Sequence, residues 1–192
     1  FLGRPGGLLC ELPPLQSALR RSCGDLIARG RGQRVQPTTG DRIMSDVVIA
    51  SAARTPIGAF AGGLSSVSAH YLGEVAIRAS LERAGVTADE VNEVVMGQIL
   101  AAGAGQNPAR QAAINAGIPV ERTAYGINQL CGSGLRAVAL GSQAIRLGDA
   151  DIIVAGGQES MSQAPHCMHL RNGTKMGSAE MIDTMLRDGL LD

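Results

Sequence analysis

Between Val47 and Ala155 the sequence repeats one pattern, a short apolar run followed by a longer amphipathic stretch, and that alternation restricts it to layered α/β folds. Val47-Val48-Ile49-Ala50 has the composition of a buried strand, and Pro56 and Gly58 force a turn behind it. Ser68 then precedes a helical period with Leu72, Val75, Ala76 and Ala79 on one face and Glu74 and Arg78 paired at i, i+4; Gly85 ends it. A second strand is expected within Val91 to Ile99. Pro108 opens a second helix that runs through Ala116 and stops at Gly117. Ala124 to Gln129 reads as the third strand, Gly132 to Leu147 as a helix with Leu135, Val138, Ala139 and Ile145 turned inward, and Ile152 to Ala155 as the fourth strand. Strands joined through helices form parallel, right-handed crossovers, so the expected fold is α/β, a mostly parallel sheet with helices on both faces. Its ligands should gather at the C-terminal ends of the strands.

After Gly156-Gly157 the period is lost. Gln158 to Gly177 reads as loop, and only Ala179 to Arg187 is helical in pattern, with no closing element after it, so the sequence reads as the first part of a longer one. With 17 basic and 17 acidic residues the net charge is zero, and two Phe, two Tyr and no Trp leave little for base stacking, so nucleic acid is not an expected partner. No apolar run approaches the roughly 18 residues of a membrane-spanning helix. The neutral total hides two unlike pieces. Residues 1–43 hold seven arginines against Glu11, Asp25 and Asp41, a net of +4, and their scattered Pro and Gly interrupt any period. This stretch is expected to be a disordered or non-native leader, with Met44 as the normal start; an organelle-targeting peptide is the rival reading. Cys10, Cys23, Cys131 and Cys167 form no compact disulfide framework, which suits a reducing compartment. His166-Cys167-Met168-His169 crowds potential ligands at the wrong spacing for structural zinc, and no metal is expected.

Chemistry concentrates in Asn128-Gln129-Leu130-Cys131-Gly132-Ser133-Gly134-Leu135-Arg136-Ala137, where a strand turns tightly into a helix. Gly132, Gly134 and Ala137 fit the dinucleotide fingerprint G-x-G-x-x-A, whose amides cradle a pyrophosphate. Against this, the strand before it is polar, it is the third strand and not the first, and no acidic residue stands where the ribose needs one. Alternatively, Cys131 begins the helix as a nucleophile. Unpaired amides and the positive end of the helix dipole favour a thiolate there, the glycines keep access open, and the same amides can hold an oxyanion. Spacing alone leaves Cys131 balanced between a nucleophile and an ordinary core cysteine at a strand end.

Asn128 to Leu135 resembles the reactive-cysteine motif of the thiolases, in particular the biosynthetic acetyl-CoA acetyltransferases that make acetoacetyl-CoA. Ser51-Ala52-Ala53-Arg54-Thr55-Pro56-Ile57-Gly58 is similar to the opening of that family, and Gly103-Ala104-Gly105-Gln106-Asn107-Pro108-Ala109-Arg110-Gln111 to its second-helix entrance. Val154 to Ser162 and Lys175-Met176-Gly177 also match, so the resemblance covers nearly all of 44–192. Gln158 stands where the family usually has Met, a departure expected to affect packing more than chemistry. Gly132-Ser133, in place of the Ser-Ser of fatty-acid-degrading thiolases, favours the short-chain type over a longer-chain 3-ketoacyl-CoA thiolase.

The resemblance implies that Cys131 takes an acetyl group from acetyl-CoA, with its amide in an oxyanion hole, and that a second acetyl-CoA carries the acetyl away as acetoacetyl-CoA. Coenzyme A thioesters are then substrates, and no permanently bound cofactor is implied. The family places an activating His and a proton-carrying second Cys in a second, similarly folded half; His70, His166, His169 and Cys167 do not match them. By the same resemblance, 44–160 is the N-terminal domain and 161–192 the beginning of a loop domain, with Leu190 near the coenzyme A pocket. Arg171 and Lys175 fall in a segment similar to the one through which such enzymes form homotetramers. An incomplete chain without turnover, serving only as an assembly partner, is the alternative function. A cytoplasmic location is expected, or a mitochondrial one if residues 1–43 are a transit peptide.

Overall fold

The computed structural model describes residues 47–171 and 173–191; the arginine-rich stretch 1–43, with Cys10, Cys23 and the start at Met44, lies outside the described residues. Three parallel strands form the sheet. β1 (Glu93–Gly97) lies between β2 (Thr123–Ile127) and β3 (Ile153–Gly157), with Val95 opposite both Tyr125 and Ala155. Asn92 aligns the start of β3, its Oδ1 accepting from the amides of Asp151 and Ile152 at 2.9 Å each.

Alternation along the strands divides the sheet into two faces. On one, Val94, Met96, Ala124 and Val154 pack with Ile77, Leu81, Ala109 and Ala112 from helices α1 (Ala69–Ala84) and α2 (Pro108–Asn115). On the other lies α3 (Ser133–Leu147), so close to β3 that a Cβ built on Gly141 would come 3.2 Å from Ile153 Cγ2. Helices therefore cover both faces, as the alternation of runs requires. α1 and α3 end on Gly85 and Gly148 at φ 65° and 80°, the left-handed conformation that glycine adopts without Cβ strain. Asn107 caps α2 by accepting from the Arg110 amide at 3.0 Å, and its Nδ2 donates to the Ala124 carbonyl at 2.9 Å, which ties the helix to β2.

Four expectations are corrected. Val47–Ala50 pairs with no strand among the described residues, and Val48 and Ile49 are exposed. A strand-like composition makes no strand until the segment pairs with a neighbour, and this one pairs with neither outer edge of the sheet. The chain just beyond is instead tethered to α1, where Ser51 Oγ donates to the Ser80 carbonyl and Arg83 Nη1 to that of Ala52, each at 2.6 Å. α1 is rotated from the expected face, burying Ala69, Gly73, Ile77 and Leu81 while Val75 is 41% exposed. α3 is rotated further: Ser133, Ala137 and Gly141 are buried and Leu135 is 78% exposed. In α3 the small residues allow close approach to the sheet and Leu135 turns away, whereas α1 seats Ile77 and Leu81 in the core. Finally, Ala179 to Arg187 is not one helix. Ile182–Asp183 forms β5, antiparallel to β4 (His166–Cys167), and Leu186–Leu190 closes as a π-type turn. Asp183 Oδ1 accepts from the Met185 and Leu186 amides and so starts that turn late.

Candidate active site

The turn from β2 into α3 carries Cys131. Its thiol is free and exposed, so the core-cysteine alternative does not describe it. Leu130 before it has φ +51°, a left-handed conformation that costs a non-glycine residue about 1–2 kcal/mol. Hydrogen bonds hold the turn in that shape. Asn128 Oδ1 accepts from the Leu130 amide at 2.9 Å, the Gly132 amide donates to the Gln129 carbonyl at 3.1 Å, and the Ser133 amide to that of Leu130 at 3.0 Å. Among the described residues the Cys131 amide has no hydrogen-bond acceptor, which leaves it open to a ligand.

The turn sits on glycine. A Cβ built on Gly97, the last residue of β1, would lie 2.5 Å from the Ser133 carbonyl carbon, 2.6 Å from the Gly134 nitrogen and 2.6 Å from Ser133 Cβ. One on Gly157 would lie 3.2 Å from the Gly97 oxygen and 3.4 Å from Gly134 Cα. The first turn of α3 therefore rests directly on the C-terminal ends of β1 and β3. Of the glycines beside Cys131 singled out in the sequence, Gly134 does least here, since its Cβ would meet nothing closer than 3.8 Å. Gly97 is the residue that sequence reasoning missed. Its signal was a lone glycine closing Val94-Val95-Met96, a pattern that marks close backbone approach.

Glu159 fastens the adjoining loops. Its carboxylate accepts from the Ile99 amide at 2.8 Å and the Leu100 amide at 3.2 Å, binding the segment after β3 to the segment after β1. Burial raises its pKa above the ordinary 4.5 in spite of those bonds. A carboxyl whose pKa rises on folding contributes stability that is fully present below its unfolded value and is lost as pH rises through the folded one. Glu159→Gln, which imitates the neutral acid, is expected to lose less stability than the wild type between pH 4 and pH 7. Urea unfolding midpoints of both proteins at the two pH values measure this, and equal losses would contradict it.

Leu190 lies in the π-type turn, 56% exposed, beside Gly189, whose Cβ would be 3.2 Å from Leu100 Cδ2. The turn of Leu190 thus meets Leu100, three residues beyond β1, while it is the first turn of α3, at Ser133 and Gly134, that meets Gly97. His70 bonds to Ser68 Oγ at 3.2 Å and His166 lies 3.8 Å from Asp183, so neither is among the hydrogen-bond partners of the Cys131 turn. Gln158 is buried, donates from Nε2 to Gln98 Oε1 at 2.8 Å and lies against Gly73, where a Cβ would stand 1.9 Å from Gln158 Oε1. Its Oε1 is buried and has no hydrogen-bond partner among the described residues. A cleft of about 390 Å³ opens beside the turn, between Gln98, Asn107, Tyr125 and Asn128, large enough for part of an extended ligand. No described helix is long and apolar enough to cross a membrane.

The family model of the thiolase N-terminal domain matches residues 47–192. An acetyl-CoA acetyltransferase of Rhizobium meliloti is 67% identical over 146 residues, 76% of this chain and 37% of that protein. One from Shinella zoogloeoides is 66% identical over the same shares, and the cytosolic acetyl-CoA acetyltransferase of Rattus norvegicus is 54% identical over 146 residues. The chain spans a little over a third of the length of these curated relatives.

Proposed function

Since the chain belongs to the thiolase family, through its N-terminal domain, we propose that the protein carrying it transfers acetyl groups between coenzyme A thioesters by way of an acetyl-Cys131 intermediate. The observation that carries this is Cys131 itself, an exposed free thiol in the turn two residues before α3, with an unengaged backbone amide. The Cys131 thiolate adds to the carbonyl carbon of acetyl-CoA, and the amide of Cys131 donates to the oxyanion that forms. Collapse breaks the bond to the coenzyme A sulfur, which leaves and takes up a proton. A second acetyl-CoA loses a proton from its methyl carbon, the resulting carbanion attacks the acetyl group, and the Cys131 thiolate is released with acetoacetyl-CoA as product. A thioester suits both steps because sulfur conjugates weakly with the carbonyl, which leaves it electrophilic and its α-protons acidic. The resemblance assigns the base and the proton carrier to the second half of the thiolase fold.

The names of the relatives support acetyl-CoA as the substrate, and the name of the rat protein supports a cytoplasmic location. We extend the proposal to a homotetramer assembled through 163–177, on the resemblance alone. To test the chemistry, the whole protein that carries this sequence is incubated with acetyl-CoA, quenched in acid and digested. Mass spectrometry should find one acetyl group on the Cys131 peptide and none on the Cys167 peptide. An unmodified Cys131, or an acetyl group elsewhere, would overturn the intermediate.

A further inference from the structure

We propose that Ser133 is a positioning residue for Cys131, its hydroxyl holding the strained turn that aims the cysteine and its amide. Ser133 is 4% exposed, and its Oγ makes two hydrogen bonds. It accepts from the Gln129 amide at 2.8 Å and donates to the Leu130 carbonyl at 2.6 Å. One oxygen thus uses its single proton and a lone pair to bridge the two residues that immediately precede Cys131. The Leu130 carbonyl belongs to the peptide unit whose nitrogen is the Cys131 amide, so fixing that oxygen fixes the direction in which the amide points. Leu130 has φ +51° and a side chain 53% exposed, so packing contributes little to keeping it in the left-handed conformation. Hydrogen bonds must offset the strain, and Ser133 supplies one of them on each side of Leu130. Ser133 itself cannot drift, because its backbone and Cβ are pressed against Gly97.

A cap at the helix end would use the hydroxyl differently. A capping serine precedes its helix and accepts from an amide two or three residues ahead. Ser133 instead reaches back four residues, to Gln129, and so secures the turn and not the helix. Without the hydroxyl, the Gln129 amide loses its acceptor and the Leu130 carbonyl keeps only the Ser133 amide, so the turn is held less firmly against relaxing toward negative φ at Leu130, a change that swings the Cys131 amide away from the oxyanion it would stabilise. Misplacement of about 1 Å in a reacting geometry can cost on the order of 100-fold in rate.

This rests on the proposed acetyl transfer for its consequence but not for its geometry, and the two are tested separately. Hydrogen exchange at the Gln129 amide, resolved by mass spectrometry on the whole protein, tests the geometry in the wild type before any substitution is made. Protection at least tenfold above the unfolded rate, lost in Ser133→Ala while β1 amides keep theirs, is expected. Exchange of Gln129 at the unfolded rate in the wild type overturns the proposal, as does unchanged protection in Ser133→Ala. For the consequence, the rate constant of Cys131 acetylation at saturating acetyl-CoA should fall ten- to 100-fold in Ser133→Ala, with the half-saturating concentration within twofold of wild type. Alkylation of Cys131 by iodoacetamide, which needs access but no oxyanion, should change less than threefold. Equal losses in acetylation and alkylation would mean that Ser133 only keeps the region folded, and would sink the positioning role. A wild type that is never acetylated refutes the proposed function, while the exchange result still decides the geometry.

Discussion

Gly97→Ala is expected to destabilise the chain by about 3 kcal/mol or more, the upper end of what overpacking costs, although it adds a single methyl group. The methyl would lie 2.5–2.6 Å from the Ser133 carbonyl carbon, the Gly134 nitrogen and Ser133 Cβ. Two of those three atoms are backbone, so no rotamer change can relieve the clash, and α3 must lift from the end of β1. A domain with 5–15 kcal/mol in total would lose a large part of its stability. Gly134→Ala provides the control. It is the second residue of α3, its new methyl would meet nothing closer than 3.8 Å, and alanine is favoured over glycine in a helix by about 0.5–1 kcal/mol. Urea unfolding of the two variants beside wild type should therefore show opposite signs at two glycines that face each other across one contact. A Gly97→Ala protein with a wild-type midpoint would mean that α3 does not rest on Gly97.

The order of elements could be read from the sequence because it depends on local signals. Val94-Val95-Met96 is too apolar and too short for anything but a buried strand, and Gly85, Gly117 and Gly148 stop their helices wherever the period ends. Which face each helix buries could not be read in the same way. A hydrophobic period locates an apolar arc, and on α3 it pointed to Leu135, but the face that meets the sheet is chosen by how near the helix must come. Ser133, Ala137 and Gly141 look unremarkable in sequence and become decisive only against Gly97 and Ile153. Val47–Ala50 failed for a related reason, since a strand is a relation between two segments and its composition describes only one. For the candidate site, the motif around Cys131 was legible as a turn with a reactive residue type. Its supports were not, because the bonds from Ser133 and the close approach at Gly97 link residues whose spacing carries no recognisable pattern.

Cys131→Ser is expected to reduce acetyl transfer by about three orders of magnitude or more, since in the proposed mechanism the step removed is nucleophilic attack itself. Serine keeps the size and the backbone, so the free amide and the turn persist, but an alcohol is far less ionised than a thiol and yields an ester in place of a thioester. Three orders of magnitude correspond to about 4 kcal/mol of barrier. That is far beyond what a lost surface contact could explain. The stability of the same variant should stay within about 0.5 kcal/mol of wild type, because the side chain is exposed and packs against nothing that oxygen would disturb. The combination is what identifies a nucleophile: a core cysteine would show a stability loss with its activity loss, and a bystander would show neither. Steady-state rates of acetoacetyl-CoA formation and of its thiolysis, measured on the whole protein that carries this sequence, give the first quantity, and urea midpoints the second. Both directions should fall by the same factor, because in the proposed mechanism forward and reverse reactions pass through the same acetyl-cysteine, and thiolysis that survives the substitution would require a route that avoids Cys131.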